Sequence, residues 1–140
     1  MTPSSTGGIT LHVVAAVLRA PDGSVLLAER PAGKQLAGFW EFPGGKLEPG
    51  EALHAALARE LHEELGIAIG AGATPFLQVP RDEPGRHLLL DVWLVVRWSG
   101  VPRGMEGQGI AWWLPREVRA DTLAPADREI LRVLCAHAPG

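Results

Sequence analysis

Tyrosine is absent from this chain, cysteine occurs once, at Cys135, and no apolar run approaches the ~20 residues a helix needs to cross a bilayer. One cysteine cannot form an intrachain disulfide, so the fold does not depend on an oxidising compartment. An excess of positive charge is also lacking. Thirteen Lys and Arg stand against sixteen Asp and Glu, a net charge of -3, which argues against a nucleic-acid polymer as partner. A small anionic ligand is still allowed, because a bound metal reverses the charge of a local site. Met1 to Gly8 is rich in Pro, Ser, Thr and Gly and holds no basic residue. It lacks the charged start of a signal peptide, so residues 1–8 are expected to be a flexible segment and the location cytoplasmic. His12, His54, His62, His87 and His137 have no zinc-ligand spacing, and no serine sits in a nucleophile elbow.

What is present is one domain's worth of chain. With 46% apolar and 21% charged residues in 140, residues 9–140 suffice for a single globular core. Ile9 to Leu18 is apolar and β-branched and reads as a buried strand. Pro21-Asp22-Gly23 turns the chain, and Ser24 to Ala28 reads as the returning strand of a hairpin. Glu29 to Gly38 is a polar loop, followed by a short aromatic stretch from Phe39 to Phe42. Glu51 to Leu65 is the clearest helix, with Gly66 placed as its C-cap. Ala68 to Thr74 reads as flexible, Phe76 to Val79 as a short strand and Arg81 to Gly85 as a hairpin loop. His87 to Trp98 reads as a central strand and Ile110 to Leu114 as another. A helical turn is expected over Arg116 to Arg119, and a final helix over Ala124 to Ala138. Mixed strands and helices in one chain predict an α/β or α+β layered domain.

The chemistry concentrates in the first helix. Glu60, Glu63 and Glu64 are spaced so that a helix brings all three carboxylates to one side. Their mutual repulsion calls for a compensating cation, and a hard divalent metal prefers oxygen ligands. The competing reading is a solvated acidic face. Leu53, Leu57, Leu61 and Leu65 form the apolar stripe, and Glu64 lies nearer its edge than Glu60 or Glu63, where partial burial is expected.

Upstream lies Phe42-Pro43-Gly44-Gly45-Lys46, whose glycines let backbone approach a ligand. Gly45, then five residues, Glu51, then seven residues, then Arg59-Glu60-Leu61-His62-Glu63-Glu64-Leu65-Gly66-Ile67 resembles the Nudix box at every defined position. The resemblance implies a Nudix α/β/α sandwich with a mixed sheet and a hydrolase that cuts a nucleoside diphosphate linked to another group. It implies Mg²⁺, with Mn²⁺ as the alternative, held by Glu60, Glu63 and Glu64 and by the Gly44 carbonyl. Arg59 would orient a box glutamate and Glu51 would support the loop.

Beyond the box the order of motifs is similar to the MutT-like branch of the family, the 8-oxo-dGTP diphosphatases of nucleotide-pool sanitation and DNA repair. Trp40 to Lys46, Arg86-His87, Glu106-Gly107-Gln108 and Pro125-Ala126 carry that likeness. By position it implies substrate contacts at Arg30, Phe42, Lys46 and Arg86, and a metal-binding or base role for Glu106. Asp127 departs from the branch, which has an asparagine there. An ionised aspartate only accepts hydrogen bonds, where asparagine both donates and accepts. Leu123 to Asp127 also resembles Nudix enzymes acting on CTP or 5-substituted dCTP, and an aspartate suits the exocyclic amine of cytosine. A non-hydrolysing nucleotide sensor is the reading from another class, but sensors typically lose box glutamates that this chain keeps. Tyrosine's absence weakens a dinucleoside polyphosphate hydrolase. Trp40, Trp112 and Trp113 are candidates to line a base pocket, with packing expected for at least two. The expected partner is a small nucleotide, without polymer or membrane, and the protein a monomer or homodimer.

Overall fold

β1 (Ile9–Leu18) is apolar from Val13 to Leu18, where both of its faces become covered. Val14, Ala16 and Leu18 pack into one hydrophobic layer, Ala15 and Val17 into the other, and all five are buried. The computed structural model describes residues 9–33 and 36–136; the expected N-terminal segment, residues 1–8, lies outside them. β1 pairs in parallel with β6 (Arg86–Val95) along its whole length, and antiparallel with the short β4 (Gly44–Lys46). β5 (Ala73–Glu83) pairs antiparallel with β6, giving a mixed sheet in the order β4-β1-β6-β5. β3 (Trp40–Glu41), β2 (Val25–Glu29) and β7 (Ile110–Trp113) form a second, antiparallel sheet in the order β3-β2-β7.

Helix α1 (Leu53–Leu65) covers one side of this layer and α2 (Asp127–Ala136) the other. Ala56, Leu57, Leu61 and Leu65 of α1 lie against Val14, Ala16, Leu18, Leu26 and Val95. Ile130, Leu131 and Leu134 of α2 lie against Ala15, Val17, Leu27, Leu90 and Val92. Each fully buried leucine stabilises the fold by roughly 1.5–3 kcal/mol through apolar area removed from water. The layers are those of the expected α/β/α sandwich. Two 3₁₀ turns, Pro115–Glu117 and Ala120–Thr122, lead into α2.

Several local expectations are corrected. β1 and β2 do not form a hairpin. The turn at Pro21 to Gly23 is there, but only an isolated Arg19–Val25 bridge joins the two strands, because the chain crosses into the second sheet. β5 runs over eleven residues, through segments expected to be flexible or loop. Its prolines, Pro75 and Pro80, are tolerated because β5 is an edge strand, and a bulge falls between Pro75 and Leu77. The loop from Phe42 to Glu51 contains β4. α1 starts at Leu53, two residues late, with no side-chain cap at Ala52, while Gly66 ends it as expected at φ 72 with its N–H on the His62 carbonyl. α2 starts at Asp127 rather than Ala124, since a residue before proline resists helical geometry; its expected last residues, 137–138, lie outside the described ones. Trp40 packs on the core, but Trp112 and Trp113 are 40% and 41% exposed. No helix among the described residues is long and apolar enough to cross a membrane.

Candidate active site

The α1 stripe that packs inward fixes which side chains point toward the glycine loop. Arg59, next to it, organises that edge. Its Nε and Nη2 donate to the two carboxylate oxygens of Glu51 at 2.8 and 2.9 Å, and its Nη1 donates to Glu60 at 2.9 Å. Nη2 also reaches the Lys46 carbonyl at 3.1 Å, and Glu63 lies 3.6 Å from Nη1. Glu51 accepts the Glu48 N–H at 2.9 Å as well. These bonds, Arg59's first, hold the Glu51 carboxyl down at about 2. One guanidinium thus ties the helix to the loop before it, in the bidentate geometry lysine cannot copy.

The loop lies against the helix at atomic contact. A Cβ on Gly45 would stand 2.4 Å from the Glu60 carboxyl carbon, and one on Gly44 would stand 1.9 Å from the Val14 carbonyl oxygen. Both positions need glycine for space. Glu64 sits deeper than Glu63, which is exposed. Burial first, then a hydrogen bond and repulsion from Glu60, then the charges of Glu106 and Glu41, push the Glu64 carboxyl well above the usual carboxylate range. Among the described residues no three acidic, histidine or cysteine side chains converge on one point, since Glu60 and Glu63 lean on Arg59. Even so, the donor set fits a hard divalent cation. It is all oxygen, it carries surplus negative charge, and the partly desolvated Glu64 is surrounded by acids.

Beside this cluster a cleft of about 390 Å³ opens over the α2-facing side of the mixed sheet. Arg30, Phe42, Gly44, Gly45, Lys46, Arg86 and Asp127 all line it. Glu60, Glu63, Glu64 and Glu106 do not; Glu60 stands behind its glycine wall, against Gly45. Phe42 is also buried in the core, 4% exposed. Asp127, the first residue of α2, turns its carboxylate across to the Phe42 N–H and accepts it at 2.7 Å. Burial raises the Asp127 carboxyl to about 7, against the Phe42 bond, which lowers it, with Glu41 raising and Arg30 lowering it further. Arg30 donates to Glu41 at 2.8 Å, and burial pushes Glu41 up despite that bond.

Arg86 donates to Glu83 at 2.7 Å, and Arg81 lies 3.5 Å from the same carboxylate. Glu41, Arg81 and Glu83 line the cleft and were not anticipated. The alternation Val79, Arg81, Glu83 continues a period-two face past Pro80 and could have found two of them. Trp40, Trp112 and Trp113 do not line it.

A model of the NUDIX domain matches residues 10–134. The chain is 42% identical over 126 residues to the CTP pyrophosphohydrolase of Escherichia coli K12, covering 90% of this chain and 92% of that one. It is 36% identical over 129 residues to the 8-oxo-dGTP diphosphatase of the same organism, covering 89% and 95%. Its fold superposes on a MutT NUDIX hydrolase from Burkholderia pseudomallei with a TM-score of 0.78 at 30% identity, over 88% and 96% of the chains.

Proposed function

Because this chain belongs to the Nudix hydrolase family, we propose that it is a Mg²⁺-dependent diphosphatase of nucleoside triphosphates that releases pyrophosphate and the monophosphate. The observation that carries this is one cleft lined by Asp127, Arg86, Arg30 and Lys46 together with a glycine wall backed by Glu60. Nudix hydrolases depend on a divalent metal. Here Glu60, Glu63, Glu64, Glu106 and the Gly44 carbonyl would hold it, with Mn²⁺ as the alternative ion. When bound, the metal neutralises charge on the phosphates and makes water a better nucleophile.

The chain's own residues do the rest. Lys46, Arg30 and Arg86 bring positive charge to a triphosphate, and Arg59 keeps Glu60 aimed at the glycine wall. Water attacks a phosphorus, pyrophosphate leaves, and a glutamate of the cluster takes the proton. Glu64 and Glu106 are the two to test for that last role.

The preferred substrate in this reading is 8-oxo-dGTP, in nucleotide-pool sanitation. With Asp127 near 7, its protonated form is populated at neutral pH and can both donate and accept at a purine edge. A cytosine nucleotide is the second reading, favoured by the ionised form, which accepts from an exocyclic amine. We place the enzyme in the cytoplasm, as a monomer or homodimer acting on free nucleotide. A panel of triphosphates, scored for pyrophosphate release, tests both. A cytosine nucleotide exceeding 8-oxo-dGTP by about tenfold in kcat/KM, about 1.4 kcal/mol, overturns the purine choice. Binding without release of pyrophosphate overturns the enzyme reading.

A further inference from the structure

The segment between β6 and β7 is tied to the last turn of α1. The Arg103 and Met105 N–H groups donate to the carbonyls of Leu65 and Glu64, each at 3.0 Å. These are the carbonyls a helix end leaves without intrahelical partners. Gln108 adds a side-chain link of another kind. Its Nε2 donates to the Glu64 carbonyl at 3.0 Å, and its Oε1 accepts the Glu106 N–H at 2.9 Å. One carboxamide therefore holds the backbone of two acids that belong to different elements, forty-two positions apart. The bend around it is tight. The Gly107 N–H donates to the Gly104 carbonyl at 3.1 Å, and a Cβ on Gly104 would stand 2.1 Å from the Gln108 carbonyl oxygen. Met105 packs over Gly66, 3.2 Å from where a Cβ there would lie. The charge of Glu106 is felt at Glu64.

We propose that Gln108 is a positioning residue for hydrolysis: by bridging the Glu64 carbonyl and the Glu106 N–H, its carboxamide sets the spacing at which these two carboxylates face the divalent cation and the triphosphate. The proposal rests on the reading of Glu64 and Glu106 as site acids. A carboxamide suits this bridge because it supplies a donor and an acceptor on one planar group whose roles do not change with pH. Helix capping by itself would need only the donor, and the Met105 N–H already reaches the Glu64 carbonyl.

The test compares Gln108→Met, Glu106→Gln and the double variant. Methionine keeps the length and removes both bonds. Four quantities are read: kcat, KM for the triphosphate in saturating Mg²⁺, the dissociation constant of Mn²⁺ from nucleotide-free protein by EPR, and Tm in EDTA. Gln108→Met is expected to lower kcat and weaken Mn²⁺ binding by about 10–100-fold, the usual effect of losing a partner that orients a ligand. KM should change by less than about threefold, and in the Glu106→Gln background the kcat effect should shrink to less than about threefold. If Gln108→Met does not fold, Gln108→Asn, one methylene too short to span both partners, is read by the same measures. A native kcat and Mn²⁺ affinity in Gln108→Met beside a crippled Glu106→Gln overturns the Gln108 role alone. So does a fall confined to Tm, or a full kcat loss that persists in the double variant. A native Glu106→Gln overturns the reading of Glu106 and the proposal with it.

Discussion

The Gly45 Cα and the Glu60 carboxylate occupy adjoining space with no room for a methyl group between them: a Cβ on Gly45 would lie 2.4 Å from Glu60 Cδ and 2.5 Å from each of its oxygens. A close approach of this kind makes loop and helix one surface. The obstacle at Gly45 is the far end of a flexible side chain, whereas at Gly44 it is the Val14 main-chain carbonyl. The two glycines should therefore fail differently. Gly45→Ala should keep its Tm within a few degrees and lose kcat by about tenfold or more as Glu60 is displaced. Gly44→Ala should break the pairing of β4 with β1 and unfold at clearly lower temperature. Thermal melts beside steady-state kinetics of the two variants decide it.

Among the described residues, Arg59 is the one cation paired with Glu51, Glu60 and Glu63. Arg59→Lys keeps the charge and loses the two-pronged bond to Glu51. We expect kcat to fall about 10–100-fold, with substrate KM nearly unchanged because Arg59 does not line the cleft. A KM rise with native kcat would contradict this placement.

Glu64 opposes stability in the metal-free protein. Its carboxyl is raised in the fold, so its contribution is favourable below the ordinary carboxylate value and is lost as pH rises above it. At pH 8 in EDTA, Glu64→Gln should therefore melt at a higher temperature than the parent, while its turnover falls by several orders of magnitude, as should that of Glu60→Gln. Mg²⁺ should raise the parent's Tm and leave that of Glu64→Gln nearly unmoved. Near-native turnover of either variant in excess Mg²⁺ would remove these residues from the metal site.

Asp127 predicts a pH dependence of base preference. Its ordinary value is 3.8 and the fold raises it to about 7. The stability it lends is thus full below about pH 4 and disappears as pH climbs to about 7. Over that interval the Tm of the parent should fall relative to that of Asp127→Asn, which does not titrate. Over the same titration, the ratio of kcat/KM for 8-oxo-dGTP to that for a cytosine nucleotide should fall as the carboxyl loses its proton. A flat ratio from pH 6 to 8 would dissociate Asp127 from base recognition. The ratio cancels effects common to both substrates, such as those on the attacking water.

Most of the box was legible in the residues because its spacing is local. A helix of 3.6 residues per turn places Glu60, Glu63 and Glu64 on one side wherever the helix lies, and Gly66 marks its end. The long parallel partner of β1 was visible as an apolar run. Hairpin pairing of β1 with β2 was not a reliable inference from the turn at Pro21 to Gly23. A turn reverses the chain but does not choose the sheet it enters. The length of β5 was hidden by Pro75 and Pro80, since the penalty for proline depends on whether a strand lies at an edge, and only the assembled sheet decides that.

By itself, then, the order of residues determined the family, the helix that carries the glutamates and the kind of ligand they suit, because each of these depends on neighbours along the chain. Tertiary structure decided which distant residues meet: the Asp127 carboxylate on the Phe42 N–H, Glu41 on Arg30, and Gln108 between Glu64 and Glu106. Those contacts join residues from different elements, and the burial that raises Asp127 and Glu64 exists only once the elements have packed. A side chain's proton affinity and hydrogen-bond partners are properties of its surroundings, and chain order does not specify them until the layers close.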